Sequence, residues 1–347
     1  MSYGHASPQA FLRCSGILGE GIMKIPRRTF LHLAAGAGTL PAISRFAWAQ
    51  SYPARPVRII VGFPAGGTTD IGARLIAQWL SERLGQQFIV ENRPGAGTHA
   101  ATEAVVKAAP DGYTLLMATS SNAINATLYE RMNYNFLRDT VPVAGVIRSP
   151  LVLEVHPSVP VKTVSELIAY AKANLGKLNM ASFGASTVSH LSGELFKMTT
   201  GIEMLHVPYR GSAPMLIDLI SGQVHVAFDN LPASIGHIKA GKLRALAVGT
   251  AMRSEALPDL PTIGETLPGF EASAWIGITA PRNTPVEIID RLNSEINVAL
   301  ADTNIKARFA ELSGMIVGGP PADFGKLIAD ETEKWAKVIR AANIKPE

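Results

Sequence analysis

The residues with the most chemical promise form the run Val57-Arg-Ile-Ile-Val-Gly-Phe-Pro-Ala-Gly-Gly-Thr-Thr-Asp70. Val57, Ile59, Ile60 and Val61 favour a strand. Pro64 and the Gly66-Gly67 pair break it, and glycine lets a ligand approach the backbone closely. Thr68, Thr69 or Asp70 can cap a following helix, and Asp70 is read as such a cap and not as a ligand contact. A helix start presents free N–H groups and the positive end of the helix dipole, a ready site for a carboxylate or phosphate. Taken alone, the same run is equally an ordinary tight βα turn.

Other chemistry finds little support. Gly95-Ala-Gly-Thr-His-Ala100 approximates a dinucleotide fingerprint, but the next strand ends Ala118-Thr119-Ser120 and offers no acid to a ribose. There is no P-loop, no G-x-S-x-G elbow and no H-E-x-x-H. His99, His156, His190, His206, His225 and His237 are scattered without ligand spacing, so no metal is expected. The single cysteine, Cys14, sits near the amino terminus, which leaves the rest of the chain without disulfides, thiol catalysis or Cys-bound zinc. No spacing pairs a nucleophile with a base, so neither catalytic residues nor a cofactor are expected.

Residues 1–49 read as an amino-terminal extension followed by an export signal. Arg27 and Arg28 precede Phe30 and Leu31, a weakly apolar stretch covers 33–43, and Arg45 stands before Ala47-Trp48-Ala49, an A-x-A cleavage pattern. Paired arginines with a mild apolar region resemble a Tat signal, and a Sec signal with a chance arginine pair stays open. Either exports the chain to the periplasm, with cleavage after about Ala49. Met23 is the expected true start. Residues 1–49 hold Arg13, Lys24, Arg27, Arg28 and Arg45 against Glu20; taking these from 32 basic and 28 acidic residues leaves 27 of each. The isoelectric point of about 9.1 therefore belongs to the leader, and no nucleic-acid or membrane-surface partner is implied.

The remainder alternates strands and helices. Strands are expected at 57–63, 87–91, 113–118, 151–155, 178–182, 203–207, 224–228, 243–248 and 273–279. Helices are expected at 70–84, 98–108, 163–174, 187–199, 212–220, 232–239, 285–301, 303–313 and 322–341. This order implies parallel sheets covered by helices, with ligands off the carboxyl ends of strands. Small polar or glycine-rich strand exits recur at 63–70, 119–122, 182–187 and 208–212.

Several motifs carry a more specific message. Pro64-Ala-Gly-Gly67, Val90-Glu-Asn-Arg-Pro-Gly-Ala-Gly97, Ala108-Ala-Pro-Asp-Gly-Tyr-Thr-Leu-Leu116, His190-Leu-Ser-Gly-Glu-Leu-Phe196, Val207-Pro-Tyr-Arg-Gly-Ser212 and Leu257-Pro-Asp-Leu-Pro-Thr262 occur in order. Together they resemble the substrate-binding receptors of tripartite tricarboxylate transporters, the Bug receptors, over nearly all of 52–347. The resemblance implies an α/β, periplasmic binding protein-like (type II) two-lobe fold, each lobe a mostly parallel sheet flanked by helices. It places lobe 1 at 53–150 plus 271–347 and lobe 2 at 151–270. It implies no enzyme activity, a small organic carboxylate as ligand, integral membrane transporter subunits as partners, and a monomer. A sensor signalling to a membrane kinase and an exported α/β enzyme stay open as alternatives.

By the same resemblance, Phe63, Ala65, Gly66 and Gly67 meet the ligand carboxylate, largely through backbone groups. Ser120 and Asn122 bond the carboxylate or its waters, or simply cap a helix. Ser186 and Thr187 start a helix in the second lobe and bind a second oxyanion. His190 faces either the cleft or the core. Tyr209, Arg210 and Gly211 follow a strand; relatives often carry Lys where this chain has Arg210. Asp229 ends another strand, where an acid meets an amino or hydroxyl group. His225 stands where relatives commonly carry Asp and is expected to face away from the cleft.

Overall fold

The computed structural model describes residues 52–95, 98–129, 132–185 and 187–345, within the compact unit Gln50–Glu347. The expected leader at 1–49, Ala96 and Gly97 of the fingerprint-like turn, and Ser186 lie outside the described residues. The strands, in chain order, are β1 (Val57–Val61), β2 (Phe88–Asn92), β3 (Thr114–Thr119), β4 (Thr140–Val155), β5 (Asn179–Ser182), β6 (Leu205–Pro208), β7 (Val226–Asn230), β8 (Arg244–Val248), β9 (Ser273–Pro281) and β10 (Met315–Ile316). The helices are α1 (Thr68–Leu84), α2 (His99–Val106), α3 (Ser120–Leu128), α4 (Phe136–Asp139), α5 (Val164–Ala173), α6 (Val188–Thr200), α7 (Ser212–Ser221), α8 (Leu231–Lys239), α9 (Ile263–Thr266), α10 (Val286–Ala301), α11 (Thr303–Glu311) and α12 (Pro321–Ala341). None of them is long and apolar enough to cross a membrane.

One sheet path runs β2-β1-β3-β9-β4-β7-β5-β6, with β8 and β10 also paired to β4. The long strand β4 joins two halves. Its first part, 140–150, pairs antiparallel with β9; its last part, 151–155, pairs antiparallel with β7 and β8. The parallel pairings expected from the βα order are found in the outer strands, β2-β1-β3 and β7-β5-β6. Through the centre the sheet is antiparallel, so each half is mixed.

The stretch 140–150 is a strand that the sequence conceals. Pro142, Gly145 and Pro150 read as breakers, yet the strand absorbs them through register shifts at Pro142/Ala144 and Gly145/Ile147. Proline is tolerated in a sheet at such bulges. Gly145 is needed for packing, because a Cβ there would lie 2.5 Å from Val317 Cγ1.

β9 begins at a tight joint. Gly249 N–H donates to Leu151 O at 2.8 Å, and Ala272 N–H donates to Gly249 O at 2.8 Å. A Cβ on Gly249 would stand 2.3 Å from Ala272 O, so only glycine lets these backbones meet. Arg148 on β4 pairs with Glu271 beside the joint, and Lys334 of α12 donates to Glu271 O at 3.3 Å.

The cores follow the halves, with two helices shared. Val57, Ile59, Ile76, Leu80, Ile278 and Leu292 pack in one cluster. Leu153, Leu167, Leu191, Phe196, Phe228 and Phe270 pack in another. Helix α12 puts Phe324 and Ile328 with Trp275 on the first side, and Trp335, Val338 and Ile339 into the Phe196–Phe228 core. Helix α3 divides likewise, Ala123 to one side and Ile124 and Leu128 to the other.

Candidate functional site

The turn after β1 is built around Asp70. Its side chain is buried, accepts from the Gly66 N–H and from Asn92 Nδ2, each at 2.9 Å, and pairs with Arg74 at 2.9 Å. Burial alone would raise its pKa, but the bonds from Arg74, Gly66 and Asn92 outweigh burial and hold the carboxyl below its ordinary value. Asp70 lies inside the first turn of α1 and is not the expected N-cap; it fixes the turn by holding the Gly66 amide. Gly66 has φ +89°, a conformation that favours glycine. Helix α1 starts two residues earlier than the sequence suggested, with Gly67 as an N-cap that offers no side-chain bond. Its first-turn N–H groups have no intrahelical partner.

That turn opens on a cavity of about 1130 Å³ at the carboxyl ends of β1, β3, β5 and β7. The starts of five helices line it: Gly67 and Thr68 of α1, Thr119 and Ser120 of α3, Thr187 and Val188 of α6, Gly211 and Ser212 of α7, and Asn230 and Pro232 of α8. The N-caps of α1, α6, α7 and α8 make no side-chain capping bond. Five dipole ends of the same sign therefore converge on one space, and such an arrangement favours an anion. Arg210 also lines it, exposed and without an ion-pair partner among the described residues.

Of the expected site residues, Phe63, Ala65, Gly66, Gly67, Ser120, Thr187, Arg210 and Gly211 meet around this cavity. Four others do not, and for definite reasons. Asn122 is buried; its Oδ1 accepts from Thr119 N–H at 2.8 Å and caps α3, while its Nδ2 donates to Thr102 Oγ1 at 2.8 Å and Thr98 Oγ1 at 3.2 Å. His190 lies on the inner face of α6, stacked on His206 with ring centroids 3.7 Å apart and 3.5 Å from Glu194. Burial pushes His206 down to about 3. Tyr209 turns its hydroxyl to Asp218 Oδ2 at 2.7 Å. Asp229 is fully buried behind Ser212, whose hydroxyl donates to it at 2.6 Å. The fifth, Ser186, lies outside the described residues. His225 stands just before β7, at the end away from Asn230, where its Nδ1 accepts from Asn179 N–H at 3.0 Å.

Asp229 belongs to a pair of buried carboxyls. The Ser234 hydroxyl lies 2.8 Å from Glu154 Oε1 and 2.9 Å from Asp229 Oδ2. One hydroxyl proton serves only one of these, so a proton on Glu154 completes the chain from Glu154 through Ser234 to Asp229. Burial, then the charge of Asp229, raises Glu154 well above the ordinary carboxylate range, and burial raises Asp229 to about 6. Glu154 Oε2 has no hydrogen-bond partner among the described residues. Both folded pKa values exceed the unfolded ones, so the native state binds these protons more tightly. The stability this contributes is complete below the ordinary carboxylate range and is lost as pH rises through about 6 and beyond. Glu154→Gln, neutral at every pH, should remove the Glu154 share of that slope, leave the Asp229 share, and stabilise the protein at about pH 8 by about 1–2 kcal/mol. Urea unfolding at about pH 5 and pH 8 checks this; equal slopes in both proteins would refute the shared proton.

Sequence reasoning overlooked the far wall. Leu216, Ile217 and Ile220 of α7, with Phe183, Leu312, Pro214, Ala274 and Trp275, supply much of the apolar lining, and Ser121, Ser149 and His237 add polar groups. The signal was present: α7 is apolar on more than one face, Met215 and Leu219 entering a core cluster while Ile217 remains 67% exposed. Ser212, which ends the expected strand exit 208–212, stands at the α7 start between the cavity and Asp229.

Comparison with known proteins identifies this constellation. Residues 72–344 match the model of the tripartite tricarboxylate transporter family receptor. Protein BugT of Bordetella pertussis is 41% identical over 300 residues, covering 86% of this chain and 92% of that protein. The solved structure of R. palustris Rpa4515 with adipate is 41% identical with a TM-score of 0.77, covering 85% of this chain and all of that one. MatC from Rhodopseudomonas palustris with bound malate is 32% identical with a TM-score of 0.72, covering 83% of this chain and all of that one. The fold is the two-lobed, type II-like α/β fold of periplasmic solute-binding proteins. The chain belongs to the tripartite tricarboxylate transporter receptor family, as a Bug-type solute-binding receptor and not an enzyme.

Proposed function

We infer that this chain is an exported periplasmic receptor that captures a small organic carboxylate between two lobes and delivers it to integral membrane transporter subunits. The observation that carries this reading is the convergence of five helix amino termini, four without side-chain caps, on one cavity. The adipate and malate bound by two relatives support it. Phe63, Ala65, Gly66, Gly67 and Ser120 form one jaw; Thr187, Arg210 and Gly211, joined by Ser212, form the other. Lobe 1 is taken as 53–150 plus 271–347 and lobe 2 as 151–270, with β4 and the start of β9 as the crossings. The carboxyl half of α12 packs against the core of lobe 2 and couples the lobes.

A ligand bridging both jaws has more contacts in the closed state and shifts the population towards it. The closed form is then what the membrane subunits recognise. Because only the folded protein binds, a carboxylate at about 100 times its Kd should add about 2.7 kcal/mol of stability. A thermal-shift screen over mono-, di- and tricarboxylates measures this, and a melting temperature unmoved across the panel would refute the receptor reading.

A further inference from the structure

We propose that the cavity is specific for a carboxylic acid with a continuous apolar body, an aryl or medium-chain acid, carrying at most one further anionic group. This rests on the receptor reading and narrows it. The argument begins with charge. Arg210 is the one Asp, Glu, Lys or Arg side chain lining the cavity among the described residues. No carboxylate stands there to meet an ammonium group. Asp229 behind Ser212 is fully buried and engaged by Ser212 and Ser234, and Asp70 behind Gly66 is buried and paired with Arg74. An amino acid would therefore lose the hydration of its ammonium without gaining a counter-ion. A dicarboxylate fits one acid to the helix starts and the other to the Arg210 guanidinium. Beyond Arg210 and the His237 imidazole, a third carboxylate would find no basic side chain in the lining among the described residues.

That wall is the second observation. Ile217 is 67% exposed, and Ile220 and Leu216 continue the apolar surface along the helix. Leu312 and Phe63, which pack with the Val57–Leu292 core, add apolar lining to the same cavity. An aliphatic surface left open inside a binding cleft gains by being covered with apolar ligand surface, in proportion to the area covered. A compact polyacid leaves it wet. The cavity has a volume of about 1130 Å³ in this conformation, so the α7 surface is open to a ligand of that class.

Calorimetric titration of the purified protein with 3-phenylpropionate, adipate, citrate and glutamate tests the assignment. One or both of the first two should bind at least about tenfold more tightly than citrate and glutamate. Ile217→Asp should weaken the preferred acid at least about tenfold with the melting temperature of the free protein unchanged, since Ile217 is exposed. Should that variant lose stability, Ile217→Ser gives the same reading with a smaller change. Tightest binding of citrate or glutamate would overturn this proposal and leave the receptor reading standing. Undiminished affinity in both Ile217 variants would also overturn it. No binding by any of the four acids would overturn both.

Discussion

Replacing Trp335 with alanine is expected to lower the unfolding free energy by about 3–5 kcal/mol. The side chain is fully buried, its Nε1 donates to Glu331 Oε2 at 2.8 Å, and Glu331 is itself buried. Truncation leaves a cavity and removes that donor from a buried carboxylate, two effects that add. The location raises the interest of the loss. Trp335 joins the Phe196–Phe228 core, whereas Phe324, eleven residues earlier on the same helix, packs with Trp275 in another. Loosening α12 at Trp335 should therefore release one lobe from the other as well as weaken the fold. Urea unfolding followed by circular dichroism gives the number; a loss below about 1 kcal/mol would show that α12 does not hold the second core.

Gly67→Val is expected to weaken carboxylate binding about thirtyfold or more while leaving the fold intact. Gly67 has φ −82° and ψ 169°, a conformation open to any residue, and its nearest obstacle to a Cβ is Pro64 O at 4.0 Å. The backbone thus has room for a Cβ at this position, which borders the cavity. Under the proposed reading the isopropyl group keeps the carboxylate from the amides of α1. Losing one or two charge-assisted hydrogen bonds, at about 1.5–3 kcal/mol each, sets the scale of the effect. Unchanged affinity in a folded Gly67→Val protein would move the carboxylate elsewhere.

The sequence revealed the βα order and the glycine turn because both are local. Strand residues, breakers and caps act within a few positions, so α1, β1 and β3 fell close to their expected bounds. The 140–150 part of β4 escaped because its bulges depend on the partner strand β9, not on its own residues. The site divided along the same line. Phe63, Gly66 and Gly67 reach the cavity because a strand exit leads there. Asn122, His190 and Tyr209 follow equally good strand exits and Asp229 lies near the end of β7, and only the three-dimensional neighbours Thr102, His206, Asp218 and Ser212 draw them to partners within the protein. The α7 wall was legible as surplus hydrophobicity, but which apolar face served the core and which the cavity required the fold.

The uncapped helix starts have a consequence for how such a receptor changes over generations. Under the proposed reading, affinity for an acid group resides there in the main chain, which every allele shares whatever its side chains. The exposed positions of α7 are under no such restriction, since Ile217 enters no core and can be exchanged at little cost to folding. Selection for growth on a new acid should therefore accumulate changes along α7 and at Arg210 while leaving the turn at 63–70 untouched. One lineage could pass from one acid to another without an intermediate that binds none.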